Sequence, residues 1–473
     1  MFVCIDGVEL DGHTFAKEAV DKGSAVILCS KPLSFAEEVT IIQVADCRCA
    51  MAEAVAVFYG HPGQELTLIG VTGTKGKTTV SWLLREIFQK AGKKCGLIGT
   101  IENDTGQQKK ASEQTTPESL DLQQMLREMA DSGCQAAVIE VSSQALKQRR
   151  VHGLTFDLAI LTGIGEDHIG PTEHADFGEY IYWKGRLFCQ CRKAIVNKDS
   201  PYLKSVLGSR KWTEETLTTY ALDQSAGLYV EDYEFVRIPG KLGVEFQTKG
   251  RYNIKLVIGS PGRFSLYNAL AVILAAKMLN LPDEAIRKTL LTAQIPGRQE
   301  MIPLDYTRLI MVDYAHNGES LEALLSTLHA YHPTRLTCIF GCGGERSVSR
   351  RYGMGNAAAK YADFSIVTAD NPRKESLDSI IRDIIKGMGA FAGNYCIIKD
   401  REKAIEHGVR NCQEGEIVVV AGKGHENKQL LADGAIHFDD REIVRASIEK
   451  VKHEQDYSRR NQEGNRRRAA FRR

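Results

Sequence analysis

A glycine-rich turn between an apolar strand and an amphipathic helix carries the clearest chemistry in the sequence. The turn consists of Gly73, Thr74, Lys75, Gly76, Lys77, Thr78 and Thr79. In such a turn the backbone N–H groups and the positive end of the following helix bind phosphate. A lysine at position 77 reaches the terminal phosphates, and the Thr78 hydroxyl is placed to ligate Mg2+. Val71 stands where the full motif has a glycine, so a purely structural glycine turn is the alternative.

The elements around this turn predict a mostly parallel α/β sheet. The turn follows a strand over 66–71 and precedes a helix over 79–91. That helix places apolar side chains on one face: Val80, Leu83, Leu84, Ile87 and Phe88. Further strands alternate with helices over 96–100, 136–141, 158–162 and 194–197. Ligands of such sheets bind at the carboxyl ends of the strands.

Several polar residues follow these strands and are candidates for the same site. Glu140 ends an apolar run, where a carboxylate can hold Mg2+ beside phosphates. Asp167 and His168 follow another strand, although a capped turn explains a lone histidine equally well. Lys184 lies in a helical stretch, where pattern alone indicates a solvated lysine. Asn268, near the start of a helix over 266–279, either contacts a ligand or caps a turn.

A second α/β alternation begins after Pro296-Gly297-Arg298. Its predicted strands are 309–312, 337–340, 364–368 and 417–420, and each is followed by a polar cluster. The clusters are 313–317, 341–346, 370–373 and 422–426. Because parallel strands end at the same edge of a sheet, we expect these clusters to meet at one edge of a Rossmann-like sheet.

The length of 473 residues favours about three domains. Composition and breaks place an N-terminal α/β piece at 1–64, a central domain at 65–297 with a β segment at 216–258, and a C-terminal domain at 298–457. The tail at 458–473 has seven arginines and few apolar residues. We expect it to be disordered, with an RNA-binding arm as the alternative.

Composition indicates an enzyme acting on small molecules. The 61 Lys and Arg balance 60 Asp and Glu, which leaves no net field to attract nucleic acid or a membrane. No window approaches a membrane span, and residues 1–10 have neither the basic region nor the long apolar stretch typical of a signal peptide. The 12 cysteines are scattered, without the paired spacing of a zinc site. We therefore expect reduced thiols, a cytoplasmic location and a monomer.

Taken together, the motifs resemble those of the Mur ligases over nearly the whole chain, and within them the branch that adds the third amino acid of the peptidoglycan stem peptide. The matching segments are 73–79, 115–117, 140–143, 167–168, 184–188, 313–317, 370–373 and 422–426. The resemblance implies three domains: a truncated N-terminal α/β domain, a central P-loop ATPase-like parallel sheet and a C-terminal Rossmann-like domain.

The resemblance also implies a reaction and its machinery. ATP activates a carboxylate to an acyl phosphate, which an incoming amino group attacks to give an amide. The implied acceptor is UDP-N-acetylmuramoyl-L-alanyl-D-glutamate, and the amino acid is meso-diaminopimelate. Lys77, His168 and Lys184 match catalytic positions, Lys184 as a carbamylated lysine. Two Mg2+ ions are implied, with ligands at Thr78, Glu140, His168 and the carbamylated Lys184.

Substrate contacts are carried over from the same resemblance. Nucleotide contacts beyond the turn at 73–79 match Asn268, Arg298 and Asp313. Contacts to the growing peptide match Thr115, Thr116, Ser142, Gln148 and Arg150. Contacts to the incoming amino acid match Arg346, Asp370, Asn371, Pro372, Arg373, Gly422 and Glu426. A guanidinium at 373 suits the distal carboxylate of diaminopimelate, while a surface arginine after a proline is the alternative.

Departures from the family pattern leave two rival interpretations open. Lys75 stands where the family has asparagine, Gln144 replaces a histidine, Gly163 replaces an asparagine, and 169–174 is unlike the family sequence. The first domain lacks initial strands, and 8–10 replaces a segment that contacts uridine, so weak uridine discrimination is expected. The rivals are a divergent ligase that uses a different carboxylate acceptor and a non-catalytic nucleotide-binding scaffold.

Overall fold

The computed structural model describes residues 1–7, 10–35, 38–166, 169–170, 173–292, 294–389 and 394–470, the last thirteen of these by their backbone alone. The chain divides into two compact units. The first comprises Met1–Glu231, Gln247–Ile254 and Tyr267–Thr289, and the second comprises Asp232–Phe246, Lys255–Leu266 and Leu290–Arg473. The boundaries predicted at residues 64 and 297 remain predictions.

The first unit begins with a small three-stranded parallel sheet in the order β1-β2-β3. Its elements are β1 (Phe2–Val3), α1 (Ala16–Asp21), β2 (Val26–Cys29), β3 (Thr40–Gln43) and α2 (Cys47–Phe58). Helix α2 starts where the Asp46 carboxylate accepts hydrogen bonds from the N–H groups of Arg48 and Cys49, because a side-chain acceptor satisfies the first amides of a helix. The sequence predicted an α/β piece over 1–64, and the described residues of that segment form strands and helices.

A large sheet follows and carries the glycine-rich turn. Its elements are β4 (Thr67–Thr72), α3 (Lys77–Lys90), β5 (Cys95–Ile98), β6 (Glu102–Asp104), β7 (Lys109–Ala111), α4 (Ser119–Asp131), β8 (Ala136–Glu140), α5 (Ser143–Lys147), β9 (Phe156–Leu161), α6 (Phe177–Cys189), β10 (Cys191–Asn197), α7 (Leu203–Leu207) and β11 (Leu217–Ala221). The strand order here is β11-β10-β9-β4-β8-β5-β6-β7. The β5–β6 and β6–β7 pairs are antiparallel, and the other neighbouring pairs are parallel.

Strands β4 and β8 lie side by side in the middle of this sheet, so their carboxyl ends are adjacent. In β8 the run Ala136–Glu140 is buried throughout, as expected for a parallel strand covered on both faces. The predicted apolar face of α3 is buried against the sheet. The sheet therefore brings the glycine-rich turn beside Glu140, since Val71 pairs with Glu140 in register.

The predicted β segment at 216–258 is present as strands, and two helices follow it. The elements after β11 are β12 (Leu228–Ile238), β13 (Lys241–Gly250), β14 (Lys255–Ile258), α8 (Arg263–Met278) and α9 (Asp283–Thr292).

The second unit contains a six-stranded sheet in the order β15-β16-β20-β17-β18-β19. Its elements are β15 (Glu300–Pro303), β16 (Leu309–Asp313), α10 (Gly318–His329), β17 (Leu336–Phe340), α11 (Val348–Tyr361), β18 (Phe364–Val367), α12 (Leu377–Met388), β19 (Tyr395–Ile397), α13 (Arg401–Arg410), β20 (Ile417–Ala421), β21 (Lys428–Leu431), β22 (Gly434–His437) and α14 (Asp440–Ala470). Only β15 is antiparallel in the six-stranded sheet. All four predicted strands are present, so their polar clusters meet at one edge.

The C-terminal tail differs from the sequence prediction. Helix α14 continues to Ala470, whereas disorder was expected from residue 458. The helix is anchored at its start, because Val444, Ile448 and Val451 are buried against the second sheet. Once a helix is nucleated by packing, a run rich in Arg, Glu, Gln and Ala propagates it at little cost.

Among the helices that the structure describes, none combines the length and apolar character needed to cross a membrane.

Candidate active site

The glycine-rich turn has the geometry of a phosphate loop. Gly76 lies in the left-handed region at φ 89° and immediately precedes α3, which begins at Lys77 rather than at the expected residue 79. A Cβ at position 76 would lie 2.7 Å from Asn268 Oδ1. Only glycine fits this backbone conformation and this close approach without strain. Asn268 is thus placed against the loop, and the first amides of α3 open toward it.

Two lysines converge on one carbonyl oxygen of the loop. Lys77 Nζ lies 2.9 Å from Gly73 O, and Lys184 Nζ lies 2.9 Å from the same atom. Lys184 is only 1% exposed and sits 4.6 Å above the ring of Tyr180. The Tyr180 hydroxyl lies 2.8 Å from Thr74 Oγ1, which ties α6 to the loop. Two ammonium groups this close form a cationic centre suited to a terminal phosphate.

The carboxylate of Glu140 faces the start of α3. The Thr78 hydroxyl donates to Glu140 Oε2 at 2.9 Å. The Thr100 N–H donates to Glu140 Oε1 and the Thr100 hydroxyl donates to Oε2, each at 3.0 Å. Burial raises the pKa of Glu140, while the charge of Lys77 and these hydrogen bonds act against that rise. A buried carboxylate beside a threonine hydroxyl is a donor pair that suits Mg2+.

Within the described residues, no three His, Cys, Asp or Glu side chains come together as a ready metal site. His168, predicted as a Mg2+ ligand, lies outside the described residues, as does Asp167.

The residues predicted to contact the growing peptide lie next to Glu140. The Thr116 hydroxyl donates to Glu140 O at 2.7 Å and accepts from Ser142 N at 3.1 Å. Arg150 donates to Thr116 O at 2.7 Å and to Gln148 Oε1 at 2.6 Å. Thr115 is linked to the same group, because its hydroxyl lies 3.2 Å from that of Thr100. The structure therefore brings this set together around one strand end.

A polar cavity of about 240 Å3 lies at the carboxyl edge of the second unit's sheet. It is lined by Tyr314, His316, Gly341, Cys342, Gly343, Arg346, Arg350, Asp370, Asn371, Arg373, Gly422 and Glu426. Six of the seven residues predicted to contact the incoming amino acid are in this lining. The seventh, Pro372, lies within the same loop, where its carbonyl accepts from Glu375 N at 3.1 Å.

Arg373 and Asp370 are two of the charged residues that line this cavity. Arg373 adopts φ 52°, and its guanidinium donates to Gly344 O at 2.6 Å. Burial raises the pKa of Asp370, while the positive charges of Arg401 and Lys423 lower it. Gly422 has φ 118°, and a Cβ there would lie 2.6 Å from Asp370 Oδ2. The absence of that Cβ lets β20 end against the carboxylate.

A buried lysine holds two residues that line the cavity, Asn371 and Glu426. Lys423, which is fully buried, donates to Asn371 Oδ1 and to Glu426 Oε2, both at 3.1 Å. Asn371 in turn donates to the same Glu426 oxygen at 3.1 Å. Since the Glu426 carboxylate is held by two donors, it presents a fixed negative charge to the cavity.

Arg298 and Asp313, predicted to contact the nucleotide, form a group of their own in the second unit. Asp313 accepts from Gln299 N and Ala315 N at 2.8 Å each, and burial raises its pKa against the charge of Arg298. The Arg298 guanidinium lies 4.6 Å from the centre of the Tyr314 ring. Burial and the charge of Arg298 lower the pKa of His425 to about 4, so this imidazole is neutral near pH 7.

Six residues that line the cavity were not among the predicted substrate contacts: Tyr314, His316, Gly341, Cys342, Gly343 and Arg350. The first two lie in the quoted segment 313–317, directly after β16, and their position was a usable signal. Arg350 lies in the first turn of α11, and Arg346 lies in the loop just before that helix.

Comparisons with known proteins agree with this geometry. The family model described as "Mur ligase middle domain" matches residues 71–276, and the one described as "Mur ligase, glutamate ligase domain" matches 297–424. A UDP-N-acetylmuramoyl-L-alanyl-D-glutamate–2,6-diaminopimelate ligase of Clostridium botulinum is 37% identical over 95% of this chain and 92% of its own. The ligase of the same description from Geobacillus thermodenitrificans is 38% identical over 95% and 92%.

A solved structure of a ligase with that description aligns with a TM-score of 0.68 at 30% identity, covering 93% of this chain and 89% of its own. The alignment confirms the predicted three-domain Mur ligase architecture. Because the family models cover well over half of the chain and the relatives cover nearly all of it, this protein belongs to the Mur ligase family.

Proposed function

We propose that this chain is an ATP-dependent ligase that joins meso-diaminopimelate to UDP-N-acetylmuramoyl-L-alanyl-D-glutamate, a step of peptidoglycan precursor synthesis. The observation that carries the proposal is the charged cavity at the edge of the second sheet. Its lining supports an amino acid that is charged at both ends, and the curated relatives named above carry out this addition by their descriptions.

The charges of the cavity match those of diaminopimelate. This amino acid has two carboxylates and two ammonium groups, so it needs both cationic and anionic partners. The cavity offers three guanidinium groups, from Arg346, Arg350 and Arg373, and two carboxylates, from Asp370 and Glu426. Guanidinium groups grip carboxylates in bidentate geometry. Lysine, with one carboxylate, would leave a guanidinium without a partner.

The phosphate loop of the first unit supports ATP as the second substrate. Lys77 and Lys184 supply positive charge at Gly73 O, and the amides at the start of α3 face the same space. Asn268 lies against the loop in the same unit. For Arg298 and Asp313 we propose nucleotide contacts as well, on the strength of the family resemblance.

Thr78 and Glu140 fit a Mg2+ ion. The Glu140 carboxylate is 1% exposed and has a raised pKa, so a dication would compensate a charge that burial disfavours. We assign His168 to a second metal position by resemblance. When bound, Mg2+ neutralises the repulsion between the terminal phosphate and the attacking carboxylate.

The reaction then balances in two steps. An oxygen of the acceptor carboxylate attacks the terminal phosphorus of ATP, ADP leaves, and an acyl phosphate forms. The free amino group of diaminopimelate attacks the acyl carbon, phosphate departs with the former carboxylate oxygen, and the nitrogen loses a proton. In this scheme Asp370 and Glu426 orient the amino acid, while Thr115, Thr116, Ser142, Gln148 and Arg150 hold the acceptor, so catalysis is mainly positioning.

We also propose that Lys184 is carbamylated in the active enzyme. The buried ammonium would lose one proton to become an amine, and the amine would add to CO2 with loss of a second proton, so that the resulting carbamate would replace a buried cation with an anion. An anion there would bind a metal ion beside Glu140, whereas the unmodified amine donates to Gly73 O. We further propose that the enzyme works as a monomer in the cytoplasm, on small molecules alone.

A screen of phosphate release tests this function. The full-length protein is incubated with ATP, Mg2+, one of several carboxylate acceptors and one of several amino acids. We expect release only when meso-diaminopimelate is present together with the muramoyl dipeptide, either in its UDP-linked form or, because weak uridine discrimination is expected, without UDP. Release with another acceptor would favour a divergent ligase, and no release with any pair, despite nucleotide binding, would favour a scaffold.

A further inference from the structure

A buried ion pair lies behind the amino-acid cavity of the second unit. Arg401 starts helix α13 and Asp440 starts helix α14, and the side chains of both are fully buried. Arg401 Nε donates to Asp440 Oδ1 and Nη2 donates to Oδ2, each at 2.7 Å. Burying two charges is costly unless the pair is bidentate and its remaining donors are satisfied.

The remaining donors of Arg401 reach two strand ends. Nη1 donates to Ala369 O at 3.1 Å, and Nη2 donates to Ala421 O at 3.0 Å. These carbonyls belong to the residues immediately before Asp370 and Gly422, both of which line the cavity. One guanidinium thus bonds to the backbone on both sides of the site.

Strand order shows why this bridge matters. Strands β18 and β20 are not neighbours, because β17 lies between them. Their ends are about 10 Å apart, two strand spacings, which is too far for direct backbone hydrogen bonds. Past the point where β17 forms backbone hydrogen bonds to both strands, the Arg401 guanidinium links the ends of β18 and β20 by donating to Ala369 O and Ala421 O.

We propose that Arg401, held by Asp440, is a positioning residue that sets the spacing between Asp370 and Gly422 and thereby shapes the cavity for the amino-acid substrate. The identity of that substrate rests on the function proposed above, whereas the bridge itself does not. Binding groups must be held within about half an ångström to be effective. The space between position 422 and Asp370 is too small for a side chain, because a Cβ at position 422 would lie 2.6 Å from Asp370 Oδ2.

The pair also acts on the charge of Asp370. The charged and titratable groups around that carboxyl are Arg401, Lys423, Glu426, Asp440, Tyr314, His316 and Cys342. Burial raises the pKa of Asp370, the charge of Arg401 lowers it, and the charge of Asp440 raises it. Arg401 and Asp440 therefore affect the ionisation of Asp370 with opposite signs.

Three variants of the full-length protein separate positioning from general stability. Arg401→Lys keeps the charge but cannot make all four hydrogen bonds. Asp440→Asn keeps the shape but removes the anion. Arg85→Lys is the matched control, because Arg85 is equally buried at 1% exposure and pairs with Asp104 at 2.9 Å in the other unit.

Steady-state kinetics give the first readout. For Arg401→Lys we expect the KM for diaminopimelate to rise roughly tenfold or more, with kcat and the KM for ATP within about threefold, because displaced binding groups weaken binding of that substrate alone. For Asp440→Asn we expect the acid-side loss of diaminopimelate affinity to move to lower pH, since removing a neighbouring anion lowers the pKa of Asp370. Arg85→Lys should change neither quantity.

Amide hydrogen exchange gives a readout that does not depend on the substrate. In Arg401→Lys, exchange at Asp370 and Gly422 should speed up relative to the wild type, and Arg85→Lys should leave both amides unchanged. If wild-type protein ligates no diaminopimelate but exchange responds as expected, the proposed function fails and the bridge stands. The inference is overturned if Arg401→Lys and Arg85→Lys have equal effects on amide exchange and on the KM for diaminopimelate. It is also overturned if Asp440→Asn moves the acid-side loss of diaminopimelate affinity to higher pH. Should Arg401→Lys fail to fold, Asp440→Asn alone decides by the direction of its pH shift.

Discussion

Replacing Arg373 by alanine tests how the cavity selects its amino acid. Arginine and alanine pay the same backbone cost at φ 52°, because both have a Cβ, so the comparison reports the side chain alone. The lost guanidinium has two roles in our account. It pairs with the distal carboxylate of diaminopimelate, and it holds the loop at Gly344 O.

The two roles have different magnitudes. Truncating one partner of a partly buried, hydrogen-bonded charge pair costs about 2–5 kcal/mol, or roughly thirty- to four-thousand-fold in kcat/KM. The hydrogen bond to Gly344 O contributes about 1 kcal/mol, roughly fivefold. L-Lysine lacks the distal carboxylate, so it should lose only the smaller amount. Diaminopimelate should lose both.

The assay measures kcat/KM for both amino acids with wild-type protein, Arg373→Ala and Arg373→Lys. Arg373→Lys keeps a point charge without the bidentate fork, so its loss for diaminopimelate should be intermediate. Equal losses for diaminopimelate and lysine in Arg373→Ala would refute the selectivity argument and leave Arg373 as a structural residue.

Three further predictions concern the proposed metal site, the proposed carbamylation of Lys184 and pH. Lys184→Ala should abolish turnover, and added short carboxylic acids should partly restore it by replacing the lost anion; full activity without them would exclude carbamylation. Glu140→Gln should raise the Mg2+ concentration for half-maximal rate by at least about tenfold, because a charged oxygen ligand is lost, while thermal unfolding changes little; an unchanged Mg2+ requirement would remove Glu140 from the metal site. The pKa of His425 is about 4 in the fold and near 6.5 when unfolded. Its neutral form is therefore favoured by folding, so stability should fall as pH drops from about 6.5 to 4, and His425→Gln should flatten that slope in denaturant titrations.

Strand-end clusters could be predicted from the sequence because parallel sheets impose a simple rule. Each apolar run ends at the same edge, so Asp370, Gly422 and their neighbours had to meet once the strands were recognised. The loop at 73–79 and the buried face of α3 followed equally from local spacing. These features depend on residues near one another along the chain.

The features that sequence could not supply depend on contacts between distant segments. The sequence pattern around Lys184 indicates a solvated lysine on a helix, and only the fold shows that its amine is buried and lies 2.9 Å from Gly73 O. Arg401 and Asp440 were not singled out in the sequence, and their pairing appears only when α13 and α14 pack together. The tail was misjudged because composition does not reveal that α14 is anchored by residues before 458.

The central claim, ligation through an acyl phosphate at this site, can be tested by one isotope measurement. The acceptor is prepared with 18O in both carboxylates of its glutamate residue and is incubated with ATP, Mg2+, meso-diaminopimelate and the full-length protein. If an acyl phosphate forms, inorganic phosphate should acquire one 18O atom for each amide formed, because the former carboxylate oxygen that attacked ATP leaves with the phosphate. Amide formation with no 18O in the phosphate would contradict the central claim.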